Sequence, residues 1–172
     1  MCLRNKFNKI AFPGWLFVVL TVLYNEVMLH LWITDGLHFG RFGAVALFAL
    51  GCGCVLALLT SLLPNGKARE WTIVIVCLLI SAFWLTEYFI RDSYKVFMTP
   101  KLVISGAGGV AQDYMKQVIT AVVNGWWRIG LLLAPTVLYA LFCKDKTVGW
   151  SLRGALAAGA VAAYLLGFWV VN

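Results

Sequence analysis

Apolar residues run along this chain in five long blocks separated by short polar breaks, with neither the alternation of a half-buried strand nor the one-sided stripe of a soluble helix. The blocks cover Phe12 to Ile33, Phe42 to Leu63, Trp71 to Ile90, Val118 to Phe142 and Gly149 to Val171. Each meets the length of about 20 residues that a helix needs to cross roughly 30 Å of hydrocarbon. The pattern predicts an all-α polytopic membrane protein, a five-helix transmembrane bundle forming one domain over residues 1–172.

Between the third and fourth blocks, residues 92 to 117 are too polar and too broken for a crossing. Met98-Thr99-Pro100-Lys101 discourages helix ahead of its proline, and Ser105-Gly106-Ala107-Gly108-Gly109 permits a tight backbone turn at Gly106, Gly108 and Gly109. An interfacial or re-entrant segment is expected there. Gly106, Gly108 and Ala111 match a dinucleotide-binding spacing in form only, since that motif requires a strand before it and a βαβ unit around it.

Composition strengthens the membrane reading. The chain is 62% hydrophobic, 15% aromatic and 12% charged, with a mean hydropathy of +0.88, far from a soluble domain. Arg4, Lys6 and Lys9 precede the first block like the head of a secretory signal, but the block is long and no small-residue cleavage site follows it, so an uncleaved signal anchor is expected. The five cysteines, Cys2, Cys52, Cys54, Cys77 and Cys143, lack metal-ligand spacing and read as packing residues.

Charge supplies the orientation. With the N-terminus inside, the inner segments hold Arg4, Lys6, Lys9, Lys67, Arg69, Lys144, Lys146 and Arg153, eight of the fourteen basic residues. The outer segments hold five, Arg41, Arg91, Lys95, Lys101 and Lys116, while Arg128 lies within a block. The positive-inside rule then favours a cytoplasmic N-terminus, and five crossings leave the C-terminus outside. Because the basic residues are divided among short loops on both faces, the net charge of +7 argues against nucleic acid as a partner and suits an anionic membrane.

Packing is predicted by small residues. Ala155, Gly159, Ala163 and Gly167 recur every fourth position in the fifth block, and Ala49, Gly53, Ala57 and Ser61 do so in the second, giving smooth stripes for close helix contact. Pro135 is expected to kink the fourth block, with neighbouring helices satisfying the carbonyl it frees.

Ionisable residues inside such blocks are costly and point to function. Glu26 and His30 lie one turn apart, beside Tyr24 and Asn25. Glu87, Arg91 and Lys95 form a stripe at helical spacing, provided the third helix continues past its apolar run. With the N-terminus inside, both groups fall in the outer half of the membrane, where Arg128 can join them or snorkel to the same surface. A shared depth at one leaflet fits an anionic lipid headgroup better than a proton path. The competing reading is structural: Glu26 satisfies His30 or a neighbouring helix, and Glu87 with Arg91 fixes helix register.

The run Ser81-Ala82-Phe83-Trp84-Leu85-Thr86-Glu87-Tyr88-Phe89-Ile90, then Tyr94-Lys95-Val96-Phe97-Met98 and Ser105-Gly106-Ala107-Gly108-Gly109-Val110-Ala111, resembles the N-terminal membrane region of lipoteichoic acid synthase-like phosphoglycerol transferases of the sulfatase family. Tyr24-Asn25-Glu26 is similar to a Tyr-x-Glu element in that family's first helix, and the order of blocks fits over essentially the whole chain. The resemblance implies a bacterial plasma membrane protein whose extracellular catalytic domain, with a threonine nucleophile and a divalent metal, commonly manganese, follows the fifth helix. It implies action on outer-leaflet phosphatidylglycerol. That domain is absent from these 172 residues, so no nucleophile or metal ligand is assigned and no cofactor is expected within them. The expected role is to anchor and to present lipid, with Arg91, Lys95, Lys101 and Arg128 facing a phosphodiester and Glu26, His30 and Glu87 orienting them or contacting the glycerol. The alternative is a stand-alone small membrane protein: a transporter or channel subunit, or an assembly partner.

Overall fold

A computed structural model of the chain describes residues 10–33, 39–64, 66–94, 119–145 and 150–171. Its elements are β1 (Ile10–Phe12), α1 (Gly14–Ile33), α2 (Phe39–Leu62), α3 (Lys67–Tyr94), α4 (Trp126–Phe142), β2 (Cys143–Asp145) and α5 (Trp150–Val171). Four stretches are long and apolar enough to cross a membrane: Gly14–Ile33, Phe42–Leu62, Lys67–Asp92 and Ser151–Val170. The protein is therefore helical with membrane-spanning character. The expected excursion between the third and fourth blocks, including Lys95, Lys101, Gly106, Gly108 and Gly109, lies outside the described residues.

Local chemistry sets the helix ends. The Pro13 carbonyl receives the amides of Leu16 and Phe17 at 3.1 and 3.2 Å, so the proline that cannot continue β1 opens α1. Pro64 follows the end of α2, and Gly66 adopts φ +143°, a conformation open chiefly to glycine. The Gly66 carbonyl then accepts the Glu70 amide at 3.2 Å, and α3 begins. It starts earlier than the apolar run and continues past it to Tyr94, which places Glu87 and Arg91 on one continuous helix.

The fourth block departs from expectation. Residues 119–124 are helical, but the backbone turns at Gly125 (φ −105°, ψ 15°) before α4 begins. The Gly125 amide still reaches the Ala121 carbonyl at 2.8 Å, whereas the Arg128 amide closes on Gly125 itself at 2.9 Å, a tighter three-residue bond. A Cβ at position 125 would lie 3.0 Å from the Ala121 carbonyl and 3.3 Å from the Phe89 ring, so the break is built around a glycine. The 17 residues of α4 rise about 26 Å, short of a full crossing on their own.

The strands β1 and β2 pair in parallel, Ile10 with Cys143, Ala11 with Lys144 and Phe12 with Asp145. Three-residue strands fall below what periodicity can detect, and the sequence pattern did not reveal them. Their pairing puts the start of α1 and the end of α4 at the same end of the bundle.

Helix α1 is central. It packs on α2 and α3 and touches α4, α3 packs on α4, and α5 packs chiefly on α2. Val18, Val19, Val22, Ala49, Ala57, Ile73, Cys77, Ile80, Tyr139 and Leu156 form the main core. The α2 stripe is buried along its whole length, and Gly159, Ala163 and Gly167 of the α5 stripe pack against α2, whereas Ala155 is exposed. A Cβ at Gly53 would come within 3.1 Å of the Val19 Cα, and one at Gly167 within 3.3 Å of the Phe48 ring. The described cysteines, Cys52, Cys54, Cys77 and Cys143, are free thiols.

Candidate functional site

One group of polar side chains lies where α1 faces α3 and α4, apart from the buried Thr60 and Ser61 of α2 and Arg69 at the start of α3. Tyr24, Asn25 and Glu26 are consecutive, so they fan out by about 100° each around the helix. Each meets a different partner. The Tyr24 hydroxyl donates to the Leu131 carbonyl of α4 at 3.0 Å. The Asn25 amide donates to the Ser81 hydroxyl of α3 at 3.2 Å, and Ser81 donates in turn to the Leu132 carbonyl at 3.1 Å. Glu26 accepts the Trp84 indole N–H at 2.8 Å.

Pro135 explains why the Leu131 carbonyl of α4 accepts a bond from outside its helix. Proline lacks the amide that would reach back four residues to Leu131, and Tyr24 supplies the missing donor. The expected rescue of the freed carbonyl is present, and it comes from α1; the Ser81 bond to Leu132 is an additional contact from α3.

Toward the end of α1, opposite the strand pair, the sites become charged. Glu26 lies within electrostatic reach of His30 and Glu87, so three of the acidic and imidazole groups singled out from sequence do come together. The His30 ring also meets Phe42 at a centroid distance of 5.2 Å. Glu87 is buried, and neither it, Arg91, Asp92 nor His30 is without a partner.

Arg128 occupies the first turn of α4 at the same end. One guanidinium nitrogen donates to the Tyr88 hydroxyl, and the group lies over three rings: 4.8 Å from Tyr88, 4.8 Å from Trp127 and 5.7 Å from Trp32. These rings contact each other edge-on, Trp32 to Tyr88 at 5.2 Å and Trp32 to Trp127 at 5.9 Å. Such stacking is strongest for desolvated arginine. The Arg128 Nε is buried and has no hydrogen-bond partner.

The sequence signals thus divide. Glu26, His30, Glu87 and Arg128 gather at one end of α1, α3 and α4, and Arg91 lies three residues beyond Tyr88 on the same helix. Sequence reasoning missed Trp32, Trp84 and Tyr88 as the residues that hold the charges. Their signal was present as aromatic residues one helical turn or less from an ionisable group. Among the described residues no three His, Cys, Asp or Glu side chains are grouped to hold a metal ion.

No family model, curated protein or solved structure matches this chain.

Proposed function

We propose that this chain is the membrane-anchoring and lipid-presenting part of a lipoteichoic acid synthase-like phosphoglycerol transferase. In this reading the segment 119–142 completes a fifth crossing, the N-terminus is cytoplasmic, and the Arg128 end of the bundle faces the outer leaflet of a bacterial plasma membrane. The observation that carries it is Arg128 itself. A guanidinium stacked among three aromatic rings, with one nitrogen given to Tyr88, has its remaining outward N–H groups for a planar or tetrahedral oxyanion. It also stands in the first turn of α4, where the helix dipole favours negative charge. Glu26, His30 and Glu87 then form the acidic side of the site, suited to the hydroxyls of a glycerol headgroup, and Arg91, Lys95 and Lys101 add positive charge around the phosphate.

A transporter is favoured less. Broken helices in transporters use freed carbonyls to bind cargo, whereas here Tyr24 and Ser81 already occupy the carbonyls around Pro135.

The test is phosphatidylglycerol binding to the protein in nanodiscs of neutral lipid, with phosphatidylcholine as competitor. Selective binding that falls at least tenfold in an Arg91→Ala, Arg128→Ala double variant supports the reading. Binding without headgroup preference, or binding that the double variant retains, leaves an anchor and sinks the headgroup site.

A further inference from the structure

The Asn25–Ser81–Leu132 chain fixes one level across α1, α3 and α4. One turn nearer the strand pair on each helix stand Thr21, Cys77 and Thr136. The next turn confirms the alignment, because Phe17 of α1 stacks on Tyr139 of α4 at 4.3 Å. Thr21 and Thr136 are each 1% exposed, and Cys77 and Asn25 are fully buried. This is a polar layer inside an apolar bundle.

Its hydrogen bonding does not close. Thr21 Oγ1, Thr136 Oγ1 and the Asn25 Oδ1 are all buried and have no hydrogen-bond partner. Thr21 abuts the Cys77 thiol, a weak partner whose geometry falls short of a hydrogen bond. The chain direction at Asn25 is set, because Ser81 spends its single proton on Leu132 and must accept from the Asn25 amide nitrogen. The Asn25 oxygen is left as a pure acceptor beside two hydroxyls that can donate or accept.

Leaving three such groups unmet in hydrocarbon is unfavourable for each. Buried polar groups of native proteins are met by protein or by ordered water, and a buried water usually makes about three hydrogen bonds. A water there needs a space of about 10–15 Å³ among the small side chains of Thr21, Cys77 and Thr136.

We propose that α1, α3 and α4 enclose a hydration site in which water bridges Asn25, Thr21 and Thr136. Water fits the donor set better than a cation does, because two of the three groups are hydroxyls and no carboxylate faces the layer from α1, α3 or α4 at this level. The site is independent of the headgroup reading, lying deeper in the bundle than Glu26 and Arg128.

The test pairs two readouts on the full chain in lipid. Solid-state NMR polarisation transfer from water should reach the Asn25 side-chain amide and disappear in a Thr21→Val, Thr136→Val double variant. Each single valine variant should melt about 2–4 °C lower, the shift that one lost hydrogen bond of typical size produces at this chain length, while Thr21→Ser and Thr136→Ser hold the wild-type midpoint. A dry layer predicts the opposite sign, because isosteric valine would relieve an unmet hydroxyl and raise the midpoint. No transfer in the wild type, transfer that survives the double variant, or a midpoint that rises with sodium over choline would each overturn the hydration site.

Discussion

Toward α2, helix α1 presents Val19, and the backbones approach until a Cβ at Gly53 would stand 3.1 Å from the Val19 Cα. Toward α3 and α4 the same helix presents Thr21, Tyr24, Asn25 and Glu26, and contact is made by hydrogen bonds between side chains and to carbonyls. One side is held by shape, the other by polar pairing. In hydrocarbon neither relies on the exclusion of water, since lipid tails are as apolar as leucine; close packing and interhelical hydrogen bonds do the holding. Shape tolerates no extra volume, whereas polar pairing tolerates volume but not the loss of a partner. The two sides should therefore fail under different substitutions.

The largest effect is expected on the shape side. Gly53→Leu must push α1 away from α2, and because the obstacle is a backbone atom rather than a flexible side chain the cost should reach about 3 kcal/mol. Gly130→Leu on α4, where nothing lies within 4 Å of an added Cβ, should change stability by less than about 0.5 kcal/mol. Unfolding by titration with a denaturing detergent measures both. Equal effects at the two positions would mean that the α1–α2 contact is not close-packed.

A smaller effect is expected on the polar side. Ser81→Ala removes the acceptor for Asn25 and the donor to Leu132 together. Interhelical hydrogen bonds in membranes contribute about 0.6 kcal/mol on average and about 1.7 at most. A double-mutant cycle of Asn25→Ala with Ser81→Ala should return a coupling in that range. A coupling of zero would show that the two side chains do not act as a pair.

The same division explains what could be read from the sequence. The shape side was legible, because small residues every fourth position are a one-dimensional pattern, and Ala49, Gly53, Ala57 and Ser61 are all buried as that pattern requires. The long apolar runs likewise located α1, α2, α3 and α5 within a few residues. The polar side was legible in part. Tyr24, Asn25, Glu26 and Pro135 stood out as unusual in apolar surroundings, but their partners lie as far as 107 positions away along the chain. No spacing rule connects Tyr24 to the carbonyl of Leu131. Ser81, Thr21 and Thr136 were silent for another reason, since hydroxyl residues are common in membrane helices and become informative only when three helices bring them to one level. The break at Gly125 lies against the Phe89 ring of α3, a neighbour that the local sequence does not announce.

The smallest chemical change tests the polar side most sharply. Tyr24→Phe deletes only a hydroxyl, yet it leaves the Leu131 carbonyl without the donor that Pro135 cannot supply. If this level lies in hydrocarbon, water cannot take the hydroxyl's place, and the substitution should destabilise the protein by about 0.5 to 1 kcal/mol. Pro135→Ala restores the amide four residues beyond Leu131, so in that background the loss of the Tyr24 hydroxyl should cost almost nothing. The cycle separates two accounts of Tyr24 that a single substitution cannot. Rescue by Pro135→Ala assigns the hydroxyl to the proline's missing bond. An undiminished cost in the alanine background assigns it to packing against α4, and no cost in either background places the Leu131 carbonyl where water can reach it.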